Sequence, residues 1–89
     1  MLNPVRPVRF RRDIDRMEKR GKDMAQLTAV VDLLLDGKPL PPKYKDHPLR
    51  GKYVGFRDCH MEPDWVLIYA VRGNDLILYR TGSHADILE

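Results

Sequence analysis

The sequence of 89 residues has a single cysteine, Cys59, so it has no internal disulfide framework, and a reducing cytoplasm is its simplest home. Its longest apolar stretch, Trp65 to Val71, is far short of the roughly twenty residues a membrane helix needs. The opening Met1-Leu2-Asn3-Pro4-Val5-Arg6-Pro7 lacks the apolar block of a secretory signal. No internal repeat or low-complexity tail is present, and Cys59 has no sequence neighbours that mark it as a nucleophile. What remains is an ordinary soluble composition, 43% hydrophobic and 33% charged, with a length that fits one compact domain over residues 1–89.

The net charge of +3 is unevenly distributed. Residues 1–22 hold eight Lys/Arg against three acids, whereas residues 23–89 hold eight against ten. The basic excess at one end suits a polyanion or an acidic partner, and equally a solvated helix face.

Hydrophobic periodicity divides the chain in two. Val5 to Arg9 reads as a short strand, confined to a sheet edge by Pro4 and Pro7. Phe10, Ile14 and Met17 then mark one stripe of a helix that Gly21 ends. Asp23 and Gln26 have the spacing of a capping box, opening a second helix with Leu27, Val30, Val31, Leu34 and Leu35 on its apolar face. The prolines between Gly37 and Gly51 favour an extended, ordered loop. Beyond it, Tyr53–Met61, Trp65–Arg72 and Leu76–Arg80 read as strands of an antiparallel meander with short connections. The middle strand is almost continuously apolar, as a strand covered on both faces should be. The expected class is α+β, a two-helix hairpin on one face of an antiparallel sheet.

Antiparallel topology gathers His60, Asp64, Arg80 and His84 at one rim, within reach of the loop carrying His47. RNA cleavage needs no outside nucleophile, because a 2′-hydroxyl sits beside every scissile phosphate. The protein must align that hydroxyl, remove its proton, protonate the leaving 5′-oxygen and stabilise the phosphorane. Histidine suits both proton transfers at neutral pH, arginine's fork of donors matches phosphate oxygens, and Asp64 could orient a histidine tautomer or keep the ring protonated. Each residue also has a plainer use. His47 could cap a turn, His60 could pair with Asp58 or Asp64 within its strand, and Arg80 could join Asp64 or Asp86 in a structural ion pair. Trp65, opening the apolar strand, reads as a core anchor. A zinc site from the three histidines and Asp64 has little support, since spacings of 13 and 24 residues match no compact ligand motif. Spacing alone therefore reaches a small basic α+β protein with a histidine-based phosphate site.

Several short motifs occurring in order carry a sharper reading. They are Lys45-Asp46-His47-Pro48-Leu49-Arg50-Gly51, Gly55-Phe56-Arg57-Asp58-Cys59-His60-Met61-Glu62-Pro63-Asp64-Trp65, Leu67-Ile68-Tyr69 and Arg80-Thr81-Gly82-Ser83-His84. Together with Phe10-Arg11-Arg12-Asp13 and Arg20-Gly21-Lys22-Asp23-Met24, they resemble the YafQ branch of the RelE toxin superfamily over residues 10–88. The resemblance implies a RelE-like fold with a short N-terminal strand, and cleavage of mRNA in the ribosomal A site without a metal or cofactor. It implies a type II system in which a cognate antitoxin holds the toxin in a heterotetramer or larger complex that reaches operator DNA through the antitoxin. His47, His60, Asp64, Arg80 and His84 match the family's catalytic pattern, with His84 as general acid and His60 or His47 as base. Trp65, Arg50, Lys52 and Leu88 fall where the family meets RNA. Leu88 replaces the usual terminal aromatic, and Pro7 replaces a polar residue common before the first helix. Relatives on this scaffold also act as pure binders of a protein target, so a non-catalytic binding module, or a protein that serves only an antitoxin–operator complex, stands as the alternative.

Overall fold

The computed structural model describes residues 1–87. In chain order the elements are strand β1 (Asn3–Val5), helices α1 (Val8–Lys19) and α2 (Met24–Leu35), strands β2 (His47–Pro48), β3 (Arg57–Glu62), β4 (Trp65–Arg72) and β5 (Asp75–Gly82), and a short helix α3 (His84–Ile87). Single 3₁₀ turns at Pro42–Tyr44 and Gly51–Tyr53 flank β2.

Both long helices end in the same way. Gly21 and Gly37 adopt positive φ, and Lys22 N–H and Lys38 N–H bond back to the carbonyls of Met17 and Leu33 at 3.1 and 3.0 Å. This pairing, with the glycine N–H to the carbonyl three residues before it, is the Schellman arrangement that satisfies the last carbonyls of a helix. Asp23 caps α2 by accepting from Ala25 N–H at 3.0 Å. The expected capping box is incomplete, because the Gln26 amide is drawn instead toward Glu62, 3.5 Å away, a carboxylate that also receives Lys22 at 2.7 Å.

The sheet has five strands in the order β1-β5-β4-β3-β2. It is mixed, where an antiparallel sheet was expected. β1 runs parallel to β5, with Asn3 opposite Asp75, and it occupies Asn3–Val5 because Pro7 opens α1 and draws Val8 and Arg9 into the helix. β2 is a two-residue strand inside the proline-rich loop, where the expectation was an extended loop.

β4 lies at the centre, and its residues from Trp65 to Ala70 are all buried. Its alternate side chains enter two cores. Trp65, Leu67 and Tyr69 join Phe10, Met17, Leu27, Val30 and Leu34 of the helices. Val66 and Ile68 pack with Ile87 on the opposite face, under Leu49, Tyr53, Phe56 and Tyr79. No helix among the described residues is long and apolar enough to cross a membrane.

Candidate active site

The alternation that buries Cys59 in the helix-side core turns its neighbours Asp58 and His60 to the other face of β3. β2 pairs with β3 so that His47 stands opposite Asp58. At the far end of the same face, β5 gives way to α3, whose first residue is His84. Three imidazoles therefore form a row: His47 to His60 is 6.2 Å between ring centroids, and His60 to His84 is 5.6 Å. The expected convergence of His47, His60 and His84 is what the strand order produces.

Each end of the row has its own carboxylate. Asp64, on the β3–β4 connection, accepts from the backbone N–H of His84 at 3.0 Å and lies 2.6 Å from its Nδ1. These two bonds, the backbone one first, hold the Asp64 carboxyl below the usual carboxylate range. With Asp64 as acceptor, Nδ1 donates and Nε2 faces outward. Asp64 thus serves His84, one of the uses foreseen for it.

Asp58 is buried between the other two rings. Its Oδ1 lies 3.0 Å from His47 Nδ1 and 3.8 Å from His60 Nε2. His47 Nδ1 also sits 2.8 Å from the Lys45 carbonyl, an acceptor only, so this nitrogen carries its proton toward Lys45. Asp58 Oδ1 is left buried without a hydrogen bond. Burial pushes the Asp58 carboxyl up, against the pull of His47, His60 and His84. His47, Asp58 and His60 are also the group whose ligand atoms, all within 4.8 Å of one another, could hold a metal ion.

Arg80 does not join the histidine row through Asp64, nor does it pair with Asp86. It is buried, donating through Nε at 2.7 Å and Nη2 at 3.2 Å to Asp13 of α1, which holds its guanidinium charge firmly and raises its pKa. Asp13 also accepts from Thr81 N–H at 3.2 Å and pairs with Arg16. Arg80 still lines an open hollow of about 410 Å³ together with Arg9, Lys52, Tyr53, Phe56 and Tyr79, which begins one residue beyond His84 at Ala85. Phe56 and Tyr79 lie 4.8 Å apart between centroids at 33°, so the hollow combines cations with aromatic faces.

Of the residues expected to meet RNA, Arg50 and Lys52 are exposed, and Lys52 sits in the hollow. Trp65 requires correction. It is fully buried and donates its indole N–H to Thr81 Oγ1 at 2.9 Å, so it has no surface to offer a base. Leu88 lies outside the described residues. Cys59 is buried and its thiol is pushed up to about 12, chiefly by burial, which removes it as a nucleophile.

The sequence reading missed Asp13 and Asp46, and it offered Asp58 only as a structural partner of His60 and Asp86 only as one of Arg80. Asp58 alternates with His60, a spacing of two that marks one strand face. Asp13 falls on the apolar stripe of Phe10, Ile14 and Met17, where a carboxylate needs a buried partner. Asp86 ties α3 to α1: its carboxylate receives Arg20 at 2.6 and 3.0 Å and caps Ser83 N–H at 2.9 Å, while Ser83 Oγ accepts from Asp86 N–H at 3.1 Å. The Arg20 contact, seconded by Ser83, holds its carboxyl far below the usual range. Asp46 accepts from the buried Tyr69 hydroxyl at 2.6 Å and from Arg57 at 3.2 Å, pinning the residue before His47.

With this geometry in place, comparison with known proteins is specific. The family described as bacterial toxin of type II toxin–antitoxin system, YafQ, matches residues 3–89. The mRNA interferase toxin YafQ of Escherichia coli K12 is 47% identical over 77 residues, covering 85% of this chain and 84% of that one. Among solved structures, a copper-bound mutant toxin from Helicobacter pylori superposes with a TM-score of 0.94 at 39% identity, covering 98% of this chain and 99% of that one. YafQ in the E. coli DinJ–YafQ complex does so with a TM-score of 0.93 at 40% identity, covering all of both chains.

Proposed function

Since this chain belongs to the YafQ family of type II toxins, and is an mRNA endoribonuclease with an antitoxin as its partner, we propose that it cuts messages in the ribosomal A site by metal-independent acid–base catalysis on a RelE-like scaffold. The observation that carries this mechanism is the row of three imidazoles, flanked by Asp64 at one end and by Asp58 at the other.

In this reading His60, in the middle of the row, takes the proton of the 2′-hydroxyl, with Asp58 behind it supporting the positive ring that results. The 2′-oxygen attacks phosphorus. The bond to the 5′-oxygen breaks, and His84, entering the step with both ring nitrogens protonated and Nδ1–H bound to Asp64, delivers the Nε2 proton to that leaving oxygen, giving a 2′,3′-cyclic phosphate and a 5′-hydroxyl. Asp64 at Nδ1 fixes which nitrogen of His84 faces the scissile bond. His47 steadies the developing phosphorane charge. Arg80, Lys52 and Arg50 attract the phosphates, and the Tyr53, Phe56 and Tyr79 aromatics offer stacking surfaces of the kind single strands use. A cytoplasmic location, docking of the antitoxin on the basic first helix, assembly into a heterotetramer or larger complex, and operator binding through the antitoxin belong to the same reading.

Primer extension on a defined message in a reconstituted translation reaction tests it. Cuts within codons should require ribosomes, persist in a chelator at a level that leaves ribosomes intact, and vanish in His84→Ala. Cleavage that survives in a folded His84→Ala protein would refute the acid assignment. No cleavage by the folded wild type would point to the binding-module alternative.

A further inference from the structure

The backbone alone holds the loop that carries His47 lightly. β2 has two residues, and Pro48 has no N–H to give to β3. Just before it, Lys45 is the one non-glycine residue with positive φ among the described residues, at 51°. A lysine in this left-handed conformation costs energy and persists where its surroundings hold it. Its carbonyl is the group that lies 2.8 Å from His47 Nδ1. What holds it is the next residue. The Asp46 carboxylate accepts from the Tyr69 hydroxyl at 2.6 Å and from Arg57 Nε at 3.2 Å and Nη2 at 3.3 Å. We propose that Tyr69, acting through Asp46, is a positioning residue of the nuclease: it anchors the Lys45 carbonyl that keeps the His47 ring in the histidine row.

Tyr69 is the fixed member of the anchor. Its ring is buried in the helix-side core, whereas Arg57 is half-exposed. Burial, seconded by Asp46, pushes the Tyr69 hydroxyl up, so it stays a donor wherever cleavage is measured. A hydrogen bond to a charged acceptor in a sheltered place is among the stronger ones. In the register of the sheet, Tyr69 lies opposite Arg57, and Arg57 opposite Pro48. The anchor thus ties the edge of the sheet to its central strand from the helix side, while His47 and Asp58 face the other way.

The His47 ring has a second acceptor close by, Asp58 Oδ1 at 3.0 Å. When the Lys45 carbonyl moves away, the Nδ1 proton turns to that oxygen and takes up the carboxylate that backs His60. That His47 and Asp58 serve cleavage rests on the acid–base mechanism proposed above. The anchoring of the ring does not.

The test compares Tyr69→Phe, which keeps the buried ring and removes the hydroxyl, with the full wild-type chain. Single-turnover cleavage on saturating ribosome complexes should slow roughly ten- to a hundredfold, the cost of a small misplacement, with the half-saturating concentration unchanged. Asp46→Ala should slow it as much, and Asp46→Asn, which keeps an acceptor for the hydroxyl, should recover part of the rate. Val30→Ala, which loosens the same core away from the anchor, should unfold at lower temperature yet cut at the wild-type rate. On a His47→Ala background, Tyr69→Phe should slow cleavage no further. Crystals of the free Tyr69→Phe chain, or of Asp46→Ala where that variant does not fold, should show His47 Nδ1 off the Lys45 carbonyl and on Asp58. Wild-type cleavage by folded Tyr69→Phe, equal slowing on the His47→Ala background, or an unmoved ring overturns the proposal. If His47→Ala leaves no measurable cleavage, the position of the ring decides. The ring is observed without RNA, so a wild type that never cuts, with a ring that moves in the variant, refutes the nuclease mechanism and leaves the anchor standing.

Discussion

At one end of the histidine row, His84 stands on a turn where the charged groups are answered: Asp64 by His84, Asp86 by Arg20 and Ser83, Arg80 by Asp13. At the other end, His47 and His60 share a carboxylate oxygen that accepts no hydrogen bond. The first arrangement fixes direction, which a general acid needs in order to hand a proton to one oxygen and not to water. The second leaves a buried carboxylate oxygen with room for one more hydrogen bond. The unmet carboxylate costs stability where it sits.

The sharpest way to break the comparison is at the committed end. His84→Ala should lower single-turnover cleavage by a factor on the order of 10²–10⁴ while shifting urea unfolding little, because the side chain is half-exposed and its carboxylate partner is at the surface. Asp13→Ala should strand the buried Arg80 and cost about 3–5 kcal/mol in urea unfolding, with loss of cleavage following loss of fold. Arg20→Ala should slow cleavage about tenfold by loosening the turn under His84, yet shift urea unfolding little, since solvent screens an arginine this exposed. Arg20→Lys should recover part of the rate. An unaffected rate in Arg20→Ala would mean that the turn holds itself through Ser83 alone.

The subtlest prediction sets the two ends against each other through pH. Asp86 has a lowered carboxyl pKa, so its contribution to stability is present above the ordinary carboxylate range and is lost as pH falls through its own lower value. Asp58 has a raised one, so its contribution is present below the ordinary range and is lost as pH rises through the raised value. Denaturant unfolding from pH 3 to 7 should therefore show Asp86→Asn less stable than wild type near neutrality, with the deficit beginning to narrow only at the acid end, since the folded carboxyl titrates below that window. Asp58→Asn should be at least as stable as wild type near neutrality, with its advantage closing in acid. The groups facing Asp58 are His47, His60, His84 and Asp46, the histidines favouring its charge and Asp46 opposing it. Curves of the same sign for both variants would dissolve the contrast.

Periodicity made α1, α2 and the three long strands legible, since each carries a stripe or an alternation that local rules can read. The histidine rim followed from antiparallel adjacency alone. β2 was illegible because two residues, one of them proline, carry no pattern, and their pairing depends on β3. The parallel seating of β1 beside β5 was equally hidden, being set by contacts more than seventy positions away. Trp65 and Arg80 show a different limit. The resemblance placed Trp65 against RNA and Arg80 on the phosphate, whereas Trp65 is sealed in the core, and Arg80, though it lines the hollow, is held by a helical aspartate 67 positions earlier. Reading Trp65 as a core anchor from its apolar strand was the sounder inference.

Those long spans also govern when the molecule can act. Asp13 must find Arg80 and Thr81, Arg20 must find Asp86, and β1 must find β5. None of these partners exists while only the first half of the chain has emerged during synthesis. α1 and α2 are therefore made early and wait, and the turn under His84 is assembled among the last parts of the fold. A nascent chain of this protein has no complete histidine row until α3 has been made.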